Sequence, residues 1–151
     1  MNADKKDKIK KTISFLNNMF QSNTVEYLGC DRYIFKININ DISYDNLIDS
    51  EGVFIPLTKC YNNIFRFVQG FAVVVVRDYS NSSPKYGLNH IRKSGIINYE
   101  GKEILPCDYD MISIHLDGFI ELTKNDIKKS TNCQIIQNGD FNWDKAIKWN
   151  H

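Results

Sequence analysis

A chain of 151 residues, 42% hydrophobic and 25% charged, can bury roughly two-thirds of its unfolded surface as one domain and needs no disulfide staples. Nineteen Lys plus Arg against 18 Asp plus Glu leave a net charge of +1, which argues against a nucleic-acid surface spread over the whole molecule. The imbalance is local, because residues 1 to 12 carry five Lys and two Asp while the remainder sums to −2.

Residues 4 to 20 are predicted to form a helix: Ile9, Ile13, Leu16 and Phe20 recur at spacings of four, three and four and so share one stripe. The helix is expected to pack across the first β unit and shield an open edge. Its lysines are read as solvated charge, with a phosphate-contacting arm as the alternative. The stretch Ile13-Ser14-Phe15-Leu16 stops at Asn17-Asn18, which fits neither a signal peptide nor a membrane span.

Next come Tyr33-Ile34-Phe35-Lys36-Ile37 and the run Asn46 to Pro56, which contains the turn Glu51-Gly52. Phe65 and Phe67 alternate about Arg66, so both phenylalanines are expected in the core with the arginine outside. Gly70-Phe71-Ala72-Val73-Val74-Val75-Val76 is a β-branched run of the kind a buried central strand carries. The segment Arg77 to Lys93 is predicted to be a loop that enlarges the second unit, since Asp78 to Gly87 has turn chemistry throughout. Insertions in repeat arrays commonly map to a binding face, so Tyr79, Lys85, Tyr86 and Arg92 are the candidate protein-binding residues. Gly95 to Pro106 then gives a strand, the turn Glu100-Gly101 and another strand. Asp108 and Asp110 could share a strand face as metal ligands or an acid/base pair, with a turn-forming role favoured for Asp110. Gly118 to Leu122 and Cys133 to Phe141, with a turn at Gly139, complete a third copy, and Trp143 to Trp149 is expected to close the chain as a short helix.

These segments repeat. Gly52 to Gly101 is 49 residues, Ile64 to Ile112 is 48, and the Gly-Phe pair recurs at Gly70-Phe71 and Gly118-Phe119. Units too short to bury a face alone must stack on their neighbours. The stretch KSGIINYEGKEILPCDYDMI, Lys93 to Ile112, resembles the WG-repeat family of bacterial β-repeat proteins. Lys93, Gly95, the apolar pair Ile96-Ile97 with Asn98, the turn Gly101, Lys102, Ile104-Leu105-Pro106, Tyr109-Asp110 and Ile112 fit its pattern. The Trp-Gly positions hold Ser94-Gly95, Asp45-Asn46 and Cys133-Gln134, so the copies are degenerate. The resemblance implies a fold and no agreed activity. The expectation is a mainly β single domain over residues 1–151, with three degenerate β-hairpin repeats stacked or curved into an antiparallel array. It divides into an N-terminal helical segment at 1–23, WG-like repeats at 27–143 and a C-terminal cap at 144–151.

Site chemistry is sparse. Cys30, Cys60, Cys107 and Cys133 lie 30, 47 and 26 residues apart without a Cys-x-x-Cys pair, so free thiols and no zinc or other cofactor are expected. Walker, dinucleotide and nucleophile-elbow motifs are all missing, and no catalytic residue is assigned. The function expected is non-catalytic recognition of another protein in the cytoplasm, as an immunity protein or inhibitor that blocks its partner. A nucleic-acid-binding module using the lysine helix and an enzyme with an unrecognised site are the alternatives. No membrane partner is expected, and the richness in Asn, Ile and Lys suggests a bacterial or phage source.

Overall fold

A computed structural model describes residues 2–78 and 91–148. Helix α1 (Ala3–Phe20) starts where the Asn2 side chain accepts the Lys5 N–H at 2.7 Å and stops at Gln21, whose φ of 49° is left-handed. Its apolar stripe forms as predicted: Leu16 is fully buried, and Ile9, Ile13 and Phe20 pack with it against Tyr33, Phe35 and Ile48. The Phe20 ring stacks on Phe35 at 4.5 Å. The helix therefore covers a sheet face rather than the expected edge, because Tyr33, Phe35 and Ile37 alternate onto one side of their strand and leave an apolar surface to cover. Among the described residues no helix is long and apolar enough to cross a membrane.

The rest is mainly β, in three antiparallel sheets. The first runs β1 (Glu26–Gly29), β2 (Arg32–Ile39) and β3 (Ile42–Ile48) in chain order. The second runs β4 (Asn63–Ile64), β5 (Phe71–Asp78), β6 (Ile91–Asn98) and β7 (Glu103–Tyr109). The third contains β8 (Met111–Ile114), β9 (Phe119–Lys124), β10 (Ile127–Asn132) and β11 (Ile147–Lys148), again each beside its neighbour in sequence. Leu28, Ile34 and Leu47 of the first sheet pack on Ile64, Ala72, Val74 and Ile97 of the second. Phe71, Ile96 and Leu105 of the second sheet pack on Ile112, Ile120 and Leu122 of the third. The middle sheet is thus covered on both faces, which is why β5 reads as an unbroken apolar run rather than an alternation.

The hydrogen bonds repeat with the sequence. Asn62 N–H donates to Val75 O at 2.9 Å and Asp110 N–H to Thr123 O at 2.8 Å, 48 residues on. The Asn62 side-chain oxygen accepts Arg77 N–H at 2.6 Å, and Asp110 Oδ2 accepts Asn125 N–H at 2.9 Å, at the same offset. Gly52 and Gly101 occupy matching turns: Asp49 N–H donates to Val53 O as Asn98 N–H donates to Lys102 O, and both glycines have φ of 84°. The Asp49 side chain holds the N–H groups of Glu51 and Val53, and Asn98 holds those of Glu100 and Lys102.

Several expectations need correction. Gly139 is not a third such turn, and the segment from Cys133 is not a strand. The equivalent of Asp49 and Asn98 is Asn132, paired with Phe119 as Asn98 is with Phe71, and its side chain accepts Ile135 N–H at 2.9 Å to cap helix α2 (Cys133–Gln137). Cys133 and Ile136 are buried at helical spacing, while Gly139, with φ of 75°, terminates the helix. The second-unit insertion is also shorter than Arg77 to Lys93, since the β5–β6 ladder continues to Asp78 opposite Ile91 and leaves residues 79–90 outside the described residues. Phe65 is exposed at 42% whereas Phe67 is buried, because β4 ends at Ile64 and strand alternation no longer governs the chain beyond it. The closing segment is a short 3-10 helix, Trp143–Lys145, followed by β11.

Candidate protein-binding groove

Of the four predicted contact residues, Tyr79, Lys85 and Tyr86 lie outside the described residues. Arg92 is described: it stands on β6, exposed, opposite Arg77, whose guanidinium donates to Asn63 Oδ1 at 3.0 and 3.1 Å. Arg92 also borders a groove of about 480 Å³ where the third sheet meets the second. Val68, Val73, Ile112 and Ile114 form the more buried part of that groove, and the exposed Phe65, Arg66, Met111 and Ser113 complete its rim. Met111 is 59% exposed and Phe65 42%, so two large apolar side chains stand beside two arginines. No acidic side chain is among the groove's described lining residues.

The neighbouring charges are already matched. Lys93 Nζ donates to Asp110 Oδ1 at 2.8 Å, and this bond together with the Asn125 N–H holds the Asp110 carboxyl below the usual carboxylate range. Asp110 thereby ties the second sheet to the β9–β10 turn, a structural duty in keeping with its expected place at a turn. A smaller groove of about 290 Å³ lies one unit earlier, between the first and second sheets, and shares Phe65 and Arg66 as a wall. There the buried Asp45 receives Lys36 Nζ at 2.8 Å and Ile64 N–H at 2.9 Å, so a carboxylate is supplied from within the chain.

A second cluster of reactive groups is structural in character. Tyr61, fully buried, donates its hydroxyl to Glu103 Oε1 at 2.8 Å, and Lys59 Nζ lies 3.4 Å from the same oxygen. Cys107 Sγ sits 3.6 Å from that carboxylate. Burial, then the Glu103 charge, push the Cys107 thiol up to about 12, and burial, then the hydrogen bond to Glu103, raise the Tyr61 hydroxyl above its ordinary value. Burial also raises the Cys133 thiol. A thiol held protonated is a poor nucleophile. All four cysteines are free, with Cys30 and Cys60 exposed. Iodoacetamide in a neutral buffer is therefore expected to modify Cys30 and Cys60 readily and Cys107 and Cys133 only after denaturant is added, as read by peptide mass mapping. Rapid native labelling of Cys107 would contradict this arrangement. No group of three or more His, Cys, Asp and Glu side chains converges among the described residues.

Trp143 is a lid: its ring lies 5.6 Å from Tyr109, Lys129 Nζ sits 4.8 Å above it, and the same ammonium donates to Trp143 O at 2.6 Å. Trp149 lies outside the described residues. Arg92 was a candidate contact residue from the sequence, and the structure sets it beside Phe65, Arg66 and Met111, which the sequence did not single out. The available signal was the repeat itself, since Phe65-Arg66 is 48 residues before Ser113-Ile114 and both pairs line this groove. Among known proteins, no family model, curated sequence or solved structure matches the chain.

Proposed function

We propose that the chain is a non-catalytic protein-binding module of WG-repeat type, acting as an immunity protein or inhibitor that blocks a partner protein in the cytoplasm. The observation that carries the reading is the groove flanked by Phe65, Arg66, Arg92 and Met111. Aromatic, Met and Arg side chains are the residues enriched at the cores of protein interfaces. The WG-like reading is supported by the hydrogen bonds that recur at a 48-residue offset. The test is affinity capture from the source cell, followed by titration of the captured protein. Tyr79→Ala, Tyr86→Ala and Arg92→Ala are each expected to weaken that binding by about 1 kcal/mol or more while leaving the thermal midpoint nearly unchanged. Full affinity in all three, and after shortening residues 79–90 to a tight turn, would move the site elsewhere. Steep salt-dependent binding of nucleic acid would favour the exposed lysines of α1 instead.

A further inference from the structure

The two grooves occupy the same niche in successive units, and one of the differences between their linings is a carboxylate. Counting back four residues from the matching turn residues Asp49 and Asn98 makes Ser94 the counterpart of Asp45. Register agrees, since Asp45 pairs across its ladder with Lys36 and Ser94 pairs across its own with Val75. In the earlier niche the Asp45 carboxylate lies between an ammonium and the backbone N–H of Ile64. In the later one the ion pair is replaced by Ser94 and Val75. Ser94 is 1% exposed and its hydroxyl has no hydrogen-bond partner.

Of the two groups that hold the Asp45 carboxylate, the ammonium has no counterpart here, but the backbone N–H has one. Ile64 N–H points away from β5 because the adjacent Phe65 spends its own N–H on Val73 O and successive residues face opposite ways, and it meets Asp45 instead. Ile112 is the equivalent of Ile64, and Asp110 before it donates to Thr123 as Asn62 does to Val75. By the same ladder alternation the Ile112 N–H is directed off the outer edge of β8, the edge strand beside the groove. Ser94 lies on the same side of β6 as Arg92, two residues along the strand. Arg66 and Arg92 supply cationic groups at the rim, and this groove's described lining residues include no acid.

We propose that this groove receives a carboxylate carried by an acidic, apolar-bearing segment of a partner protein, which fills the place that Asp45 fills from within the chain one unit earlier. Unpartnered polar groups in the niche favour an incoming acceptor, and the two guanidiniums select a negatively charged one. Val73, Met111 and Phe65 take up the apolar side chains beside it. The inference rests on the protein-recognition reading and narrows the partner to one presenting Glu or Asp among apolar residues.

The probe is a fluorescein-labelled peptide of alternating Glu and Leu, compared with its Gln-Leu counterpart by fluorescence anisotropy. The wild-type chain is expected to bind the Glu peptide, about tenfold or more tightly than the Gln peptide, with affinity falling as salt is raised. Arg66→Glu combined with Arg92→Glu is expected to abolish the preference, and circular dichroism should show an unchanged fold because both side chains are exposed. Ser94→Asp restores an internal carboxylate and is expected to exclude the peptide; should it fail to fold, the rim variant still decides the question. Equal binding of the two peptides, no binding of either, or undiminished binding by the rim variant overturns the proposal. A native partner held equally by wild type and rim variant overturns carboxylate docking alone, whereas the absence of any protein partner overturns the recognition reading beneath it.

Discussion

Gly101→Ala is expected to destabilise the fold by about 3 kcal/mol, combining a left-handed backbone penalty of about 1–2 with overpacking of about 1–3. At φ of 84° a side chain is strained before any contact is considered. A Cβ there would also run into the Pro56 carbonyl oxygen and lie 3.2 Å from Ile55 Cγ2, on the strap of chain that follows the Gly52 turn. Backbone cannot swing aside as a side-chain tip can, so the turn and its neighbour would have to part. Two comparisons isolate the cause. Gly139, at φ of 75° with nothing within 4 Å of a built Cβ, should show the backbone penalty alone, about 1 kcal/mol on alanine substitution. Gly52→Ala would meet only the flexible end of Met19 and the Leu16 side chain at 3.5 Å, and should fall between the two. Urea midpoints at constant slope measure all three. Equal effects at Gly101 and Gly139 would mean that the stacking of successive turns contributes nothing.

Asp45→Ala is expected to cost about 2–3 kcal/mol, since it leaves the Ile64 N–H without its acceptor and removes the partner of Lys36. The Asp45 side chain is 1% exposed and the Lys36 side chain 42%, so water recovers much of the lysine's loss but little of the backbone's. Asp45→Asn keeps an oxygen for Ile64 and gives up the charge, and should cost about 1 kcal/mol. A double-mutant cycle with Lys36→Ala separates the ion pair from the backbone bond. If Asp45→Ala and Asp45→Asn were equally mild, the Asp45 carboxylate would contribute little to holding the first and second sheets together. The apolar packing between them, of Leu28, Ile34 and Leu47 on Ala72, Val74 and Ile97, is extensive, so the carboxylate is expected to fix the register of the layers as well as their stability.

What the sequence by itself determined is local or periodic. The stripe Ile9, Ile13, Leu16 and Phe20 specifies a helix because four side chains on one face need burial together, and α1 buries them. The run Phe71 to Val76 specifies a strand covered on both sides, and the spacing of Gly52 to Gly101 specifies equivalent turns because each needs a positive φ. Other turns left a weaker trace: Cys30-Asp31, Asn40-Asp41 and Asn125-Asp126 all carry positive φ, which Asn and Asp tolerate and which Cys30 gave no reason to expect. Only the tertiary structure decided the third unit's ending, where Asn132 caps a helix instead of holding a hairpin, since the same side chain can serve either purpose and burial of Cys133 with Ile136 settles which. The shape of the groove belongs to that level. Its walls come from the segment after β4, from β5, from the start of β6 and from β8, and their meeting depends on how two sheets are offset when they stack. Burial of Asp45 in one niche and the missing carboxylate in the next follow from the same stacking: a residue's partner across a layer interface is set by the neighbouring unit's backbone, which no short-range pattern encodes.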